Sequence, residues 1–258
     1  MFDFHADTER YFQMQYQNCK NYVIPFIENH FPLKPKVRVL EIGCGEAGVL
    51  KAFLDRDCEC AGVEICVPRL ESARERLSNY LEQGVLNLIA KDIYAVQSAE
   101  ELGGAFDLII MKDVIEHIPN QSGLLRHLKK LLHPSGLIFA GFPPWQMPFG
   151  GHQQVAHNRF ISRFPYLHLL PMCLYKKVMR NESGEFIDIK RTGISIERFE
   201  RIAKENHYVI AGKQHFFINP IYEYKFNLKM KKQGKIISSI PYLRNFLTTT
   251  VFYLIKNQ

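Results

Sequence analysis

Three sets of residues in this chain are of types and spacings that could do chemistry. The first is an acid followed by closely spaced glycines, Glu41-Ile42-Gly43-Cys44-Gly45-Glu46-Ala47-Gly48. Glycines placed so let the backbone turn sharply and approach a ligand closely. The second set is a pair of acids further on, Glu64 and Asp92, each closing a short apolar run. A carboxylate at the end of such a run can accept hydrogen bonds from ribose hydroxyls or from an adenine amino group. The third set is histidines, His117, His152 and His157. An imidazole titrates near neutral pH and suits a base that must take a proton from a hydroxyl.

The elements around these residues would place them together. Short apolar runs at 37–42, 59–64, 87–90, 106–111 and 137–141 read as strands, and segments with helical spacing at 49–55, 68–83 and 121–132 alternate with them. That alternation is the pattern of a doubly wound parallel sheet, an α/β fold that binds ligands at the carboxyl ends of its strands. Glu41, Glu64, Asp92 and the Lys112-Asp113 pair all fall at those ends. Residues 3–30 read as one or two helices ending before Pro32; beyond 142 the alternation breaks, and a helix at 195–206 precedes strands at 208–218 and 248–255. The reading is a single domain over 1–258, with a helical cap at 1–36, a core at 37–141, an insertion at 143–190 and a basic insertion at 220–245.

Composition bounds the rest. The 258 residues are 47% hydrophobic and 23% charged, ordinary for a globular chain. No apolar run reaches the roughly 20 residues of a membrane span. The acidic start MFDFHADTER lacks a signal pattern, so a cytoplasmic protein is expected. Six scattered cysteines show no zinc spacing and read as free thiols. The net charge of +7 belongs to the C-terminal third, beyond Lys176. Such an excess fits an acidic or phosphorylated partner, an anionic membrane surface, or a solvated face without a partner.

Five segments in this order and spacing carry a resemblance: VLEIGCGEAG, GVE at 62–64, KDI at 91–93, FDLIIMKDVIEHI at 106–118 and LLHPSGLIFAG at 131–141. The chain resembles the class I S-adenosylmethionine-dependent methyltransferases, in particular the small-molecule group with an E-x-G-x-G loop. The resemblance implies a Rossmann-like seven-stranded sheet with helices on both faces and its last strand antiparallel. It implies S-adenosyl-L-methionine as cofactor and S-adenosyl-L-homocysteine as product. Gly43, Cys44 and Gly45 would lie along the methionine part, with Glu41 near its amino group. Glu64 and Ile65 would bind the ribose, and Asp92 and Ile93 would meet adenine. Lys112 and Asp113 would flank the sulfonium and face the acceptor. The family often has a further glycine where this chain has Ala47. A dehydrogenase would share G-x-G-x-x-G, but Glu41 and the Asp113–Ile118 segment separate the two. A non-catalytic S-adenosylmethionine-binding protein is the remaining alternative.

The stretch AGFPPWQMPFGGHQQVAH at 140–157 bears on the acceptor. Its FPPW looks like the motif of nucleic-acid amino-methyltransferases, but it follows the fifth strand and begins with Phe142, which accepts no hydrogen bond. A small-molecule acceptor is therefore expected rather than nucleic acid, with oxygen as the acceptor atom ahead of carbon or nitrogen. His152 and Asp113 are candidates at the acceptor. His117 reads either as a base or as a structural histidine capping a turn. A metal at His152, His157 and His168 would lack any carboxylate between 117 and 181, so no metal is expected. Trp145, Met147 and Phe149 would wall the acceptor or pin the loop. The chain is read as a monomer or homodimer.

Overall fold

A computed structural model describes residues 7–153, 156–182 and 184–258. The N-terminal segment forms α1 (Thr8–Asn18), a π turn (Cys19–Val23) and α2 (Ile24–Glu28). Asp7 caps α1 by accepting from the Arg10 N–H at 2.9 Å. Pro25 has no N–H to bond the preceding turn, and the π turn directly ahead of it absorbs that loss.

Then come β1 (Arg38–Ile42), α3 (Gly48–Leu54), β2 (Glu59–Glu64), α4 (Val67–Arg76), α5 (Ser78–Glu82), β3 (Leu86–Ala90), β4 (Phe106–Lys112), α6 (Gln121–Leu128) and β5 (Leu132–Phe142). The helix expected over 68–83 is two, because Leu77 leaves the helical region at φ −114°, ψ 23°. Among its described residues, the insertion that shows no βα pattern in sequence holds three short α-helices, α7 (Arg159–Arg163), α8 (Met172–Val178) and α9 (Glu185–Thr192). The chain closes with α10 (Ile196–Glu205), β6 (Tyr208–Ile218), α11 (Tyr222–Phe226), β7 (Lys231–Lys232), α12 (Lys235–Ser239), α13 (Leu243–Phe246) and β8 (Thr250–Asn257).

The strands form one sheet in the order β3-β2-β1-β4-β5-β8-β6-β7. β1 to β5 pair in parallel, and β8 runs antiparallel between β5 and β6. The sheet has eight strands rather than seven. The extra one is the two-residue β7, by which the basic insertion hydrogen-bonds to the free edge of β6.

Side chains alternate across each strand, and two apolar cores result. Leu40, Ile109 and Ile138 pack toward α6 and α10, while Val39, Leu108 and Phe139 pack toward α3 and the N-terminal helices. The 143–190 insertion adds a small core of its own around Ile161, Tyr175 and Phe186. α13 is tied to α10 through Arg244, which donates to Glu197 at 2.9 Å and to Glu200 at 2.8 Å. Among the described residues no helix is long and apolar enough to cross a membrane.

Candidate active site

β1 ends in a loop that no ordinary backbone could follow. Gly43 and Gly45 have φ of +66° and +53°, and Ala47 has +62°. The left-handed turn lets the Gly43 and Cys44 N–H groups both reach the Val63 carbonyl, at 2.8 and 3.3 Å. Glycine adopts such angles freely; Ala47 bears a strain of about 1 kcal/mol. A Cβ on Gly45 would stand 2.3 Å from Nη2 of Arg69, so the loop and that guanidinium are in close contact. Cys44 is buried beneath the loop, its thiol pushed well up by burial.

A cavity of about 90 Å³ opens above the loop, lined by Tyr11, Gln15, Glu41, Gly43, Arg69 and Lys112 among others. Glu41 points to the same side as Val39, and Lys112 of the neighbouring β4 to the same side as Ile110, so strand alternation brings this acid and this base together. Glu41 is 3% exposed, and its Oε2 meets no partner among the described residues. Burial pushes its carboxyl well above the ordinary range, and the Lys112 charge opposes that shift. Lys112 pairs with Asp113 at 2.5 Å. Burial works against the Lys112 charge, yet Asp113 and Tyr11 outweigh it and the ammonium sits above its usual value. Asp113 is exposed, with 41% of its side chain accessible; loss of solvation works against its charge, but Lys112 holds its carboxyl low. A half-buried lysine from the basic insertion, Lys225, lies in the same field; burial lowers it to about 8, against the pull of Asp113.

Glu64 closes β2 and accepts from the backbone N–H of Gly45 at 2.9 Å and of Cys66 at 2.8 Å. Ile65 beside it is 73% exposed, an apolar side chain left open on the rim of a chamber of about 850 Å³. Arg69 lines both this chamber and the smaller cavity, and it is held by two bonds to Glu46, at 3.0 and 2.8 Å. Asp92 stands at the end of β3 but spends Oδ1 on capping the next turn, accepting from the Tyr94 N–H at 2.9 Å. Asp92 lines neither cavity, and Ile93 is buried in the core. A buried acid with an orphaned oxygen beside a glycine cradle, and a second acid at the next strand end, suit the amino-acid and ribose parts of S-adenosylmethionine. Glu41 and the 43–45 loop would hold the first, Glu64 and Ile65 the second.

The larger chamber is also lined by His117, His152 and, from α9, Glu185, Asp188 and Ile189. The His117 and His152 rings meet edge to face at 5.0 Å between centroids. Burial lowers His117, with Asp113 and Glu185 acting the other way. His152 has φ +57° and sits beyond the Gly150-Gly151 hinge. Trp145 holds that hinge. Its N–H donates to the Ile194 carbonyl at 2.7 Å, and its own carbonyl accepts from His168 Nε2 at 2.6 Å. A Cβ on Gly193 would lie 2.4 Å from the indole, and one on Gly151 3.0 Å. Trp145 is thus the pin of the loop, and the chamber wall comes from α9.

The three histidines considered for a metal do not converge: His157 Nδ1 faces Glu182 at 3.2 Å, and His168 is bound to Trp145. A different trio does. One donor atom from each of Glu116, His117 and His152 lies within 4.8 Å of the others. Both oxygens of buried Glu116 lack a hydrogen-bond partner among the described residues, and burial pushes its carboxyl well up, with Asp113 adding to the shift.

A family model described as a methyltransferase domain matches residues 13–163. The chain belongs to this methyltransferase family. Its fold is that of the class I S-adenosylmethionine-dependent members. It is 32% identical over 102 residues to the ubiquinone biosynthesis O-methyltransferase of Pseudomonas aeruginosa, covering 40% of this chain and 42% of that one. The Idiomarina loihiensis protein of the same name is 30% identical over 115 residues, 44% of this chain and 45% of that one. The chain thus spans under half the length of these curated relatives. Among solved structures it is similar to a putative sarcosine dimethylglycine methyltransferase from Galdieria sulphuraria, with TM-score 0.62, 10% identity, and 93% and 85% of the two chains covered. It is also similar to the magnesium protoporphyrin IX methyltransferase of Synechocystis with bound SAH, with TM-score 0.55, 15% identity, and 95% and 84% covered.

The resemblance seen in sequence names the family correctly. Arg69, Glu46, Tyr11 and Gln15 are the site residues it misses. The spacing of Tyr11 and Gln15, one helical turn apart, was a signal that they share a face. Arg69 two residues after Val67 carries no such mark.

Proposed function

We propose that this protein transfers a methyl group from S-adenosylmethionine to the hydroxyl oxygen of a small molecule held in the chamber between Ile65, His117, His152 and α9. The observation that supports this reading is the pair of imidazoles facing that chamber beside the Lys112-Asp113 end of β4. Bound S-adenosylmethionine supplies an electrophilic methyl. The chain's own task is to orient the acceptor in line with it and to take the hydroxyl proton. His117, whose imidazole is shifted down by loss of solvation, and His152 beside it are suited to that proton. The name of the P. aeruginosa relative, an O-methyltransferase, favours oxygen as acceptor. α9 lines the chamber with Glu185, Asp188 and Arg191, the last two paired at 3.4 Å, and Arg69 faces it as well, so the lining carries both signs of charge.

A second reading attaches to Glu116. With its two unpartnered oxygens it would join His117 and His152 around a divalent cation that polarises the acceptor oxygen. The test is methyl transfer from labelled S-adenosylmethionine to a panel of phenols, catechols and aliphatic alcohols. Product on oxygen supports the proposal, and no product on any hydroxyl contradicts it. Repeating the assay after chelation separates the readings: loss restored by Mg²⁺ or Mn²⁺ selects the cation, and unchanged turnover selects the imidazole base.

A further inference from the structure

The basic insertion has a feature that methyl transfer does not use. Over 227–246 its exposed residues are mostly lysines and large apolar side chains, with Asn227, Gly234, Ser239 and Pro241 between them. Ile236 is 79% and Tyr242 72% exposed, with Ile240, Leu243 and Phe246 beside them in sequence also exposed. Lys229, Lys231, Lys232 and Lys235 are all on the surface. No Asp or Glu follows Glu223 in the chain. Glu197 and Glu200 of α10 are turned inward onto Arg244.

A second segment joins this face. The Tyr166 hydroxyl donates to the Phe246 carbonyl at 3.2 Å, and the two rings lie 6.2 Å apart. Just before Tyr166, α7 and the residue that ends it expose Phe160 and Phe164, each preceded by an exposed arginine, Arg159 and Arg163. The stretch from 117 to 181 also contains no acid. Two acid-free segments therefore meet at Tyr166–Phe246, both presenting exposed apolar side chains among cations.

We propose that this face docks on the anionic surface of a lipid bilayer. Apolar side chains enter the boundary between headgroups and acyl chains, and lysines and arginines meet the anionic headgroups. A second copy of the chain is disfavoured because it would bring like charges together. RNA is less favoured: Tyr242, Phe160 and Phe164 could stack on bases and Arg159 and Arg163 offer planar guanidinium groups, but the most exposed apolar side chain, Ile236, and its neighbours Ile240 and Leu243 have no ring to stack, and the cations of 227–243 are lysines.

The full chain is incubated with phosphatidylcholine vesicles and with vesicles in which a third of the lipid is phosphatidylglycerol, then sedimented. Binding to the anionic vesicles should exceed that to neutral ones by about tenfold and fall steeply at high salt. The double variant Ile236→Glu/Leu243→Glu, and separately Lys229→Gln/Lys231→Gln/Lys232→Gln/Lys235→Gln, should each lose most of that binding. Both alter only exposed side chains, and unchanged melting curves would show that the fold is intact. Equal partition to both vesicle types, or variants that sediment as the wild type does, would overturn the proposal. So would RNA or a second copy of the chain occupying this face, seen as single-stranded RNA displacing the vesicles or as self-association that the same variants abolish.

Discussion

The half of the molecule from β1 to β5 and the two insertions that follow are built on different terms. In the first half, buried parallel strands end on one edge, and the ends of β1, β2 and β4 bring Glu41 and its glycines, Glu64, and Lys112 with Asp113 to the lining of the two cavities. Position there follows from strand alternation, so one or two apolar residues decide which side each group faces. In the insertions, position depends on contacts between short pieces. Trp145 rests on Gly151 and Gly193, His168 bonds the Trp145 carbonyl, Gln153 donates to the Ile161 carbonyl at 2.7 Å, and Glu197 and Glu200 hold Arg244. The sheet fixes where a cofactor can lie, and the insertions fix what can lie beside it. Damage to the first should cost affinity for the cofactor, and damage to the second should cost turnover.

The largest effect expected from breaking the first half is at Glu64. Its carboxylate holds two backbone N–H groups at the mouth of the loop. Glu64→Ala should weaken S-adenosylhomocysteine binding about 10- to 100-fold, as expected when a charged hydrogen-bonding group is removed. Isothermal titration checks this, and an unchanged Kd would mean the cofactor does not meet Glu64.

A second prediction concerns the insertions and acid. Burial lowers both His168, which holds the Trp145 pin, and His215 of β6 to about 4. Their folded values lie below the unfolded one near 6.5, so the unfolded chain binds more protons between the two. The stability they contribute is full above about pH 6.5 and is lost as pH falls toward 4, at roughly 1.4 kcal/mol per pH unit for each histidine in that window. Melting temperature measured from pH 7.5 downward should drop through this range. His168→Gln/His215→Gln should flatten the drop, and an unchanged slope would place the acid sensitivity elsewhere.

The smallest effect returns to the sheet side. Ala47 is buried at φ +62°, where the family often has glycine. Ala47→Gly should relieve the left-handed strain and raise stability by up to about 1 kcal/mol, read by urea denaturation. A loss of stability would show that the Ala47 methyl packs better than its backbone suffers.

How much of this was legible in the residues follows the same division. The five parallel strands could be read because each is a short apolar run bounded by turns, and Glu41, Glu64, Lys112 and Asp113 stand at their ends by simple counting. Strand β7 could not be read, since two lysines pairing with an edge leave no pattern. Helices α7 to α9 have five to eight residues each, too few turns for apolar spacing to repeat. Asp92 follows its strand as expected and also caps the next turn, accepting from the Tyr94 N–H, which counting along the strand does not foretell. Glu116 was hidden for another reason: nothing in the sequence tells that an acid beside His117 will be buried with both oxygens unpartnered.

The account as a whole rests on the cofactor side and the acceptor side being separable, and His152 is where that is tested most directly. The measurement is the Kd for S-adenosylhomocysteine and the kcat for a hydroxyl acceptor, taken on the same preparations of wild type and His152→Ala. The expected result is a Kd within about twofold of wild type and a kcat lower by about 100-fold, the contribution typical of a positioned proton acceptor. A kcat that stays at the wild-type value, or a Kd that weakens in step with it, would contradict the account.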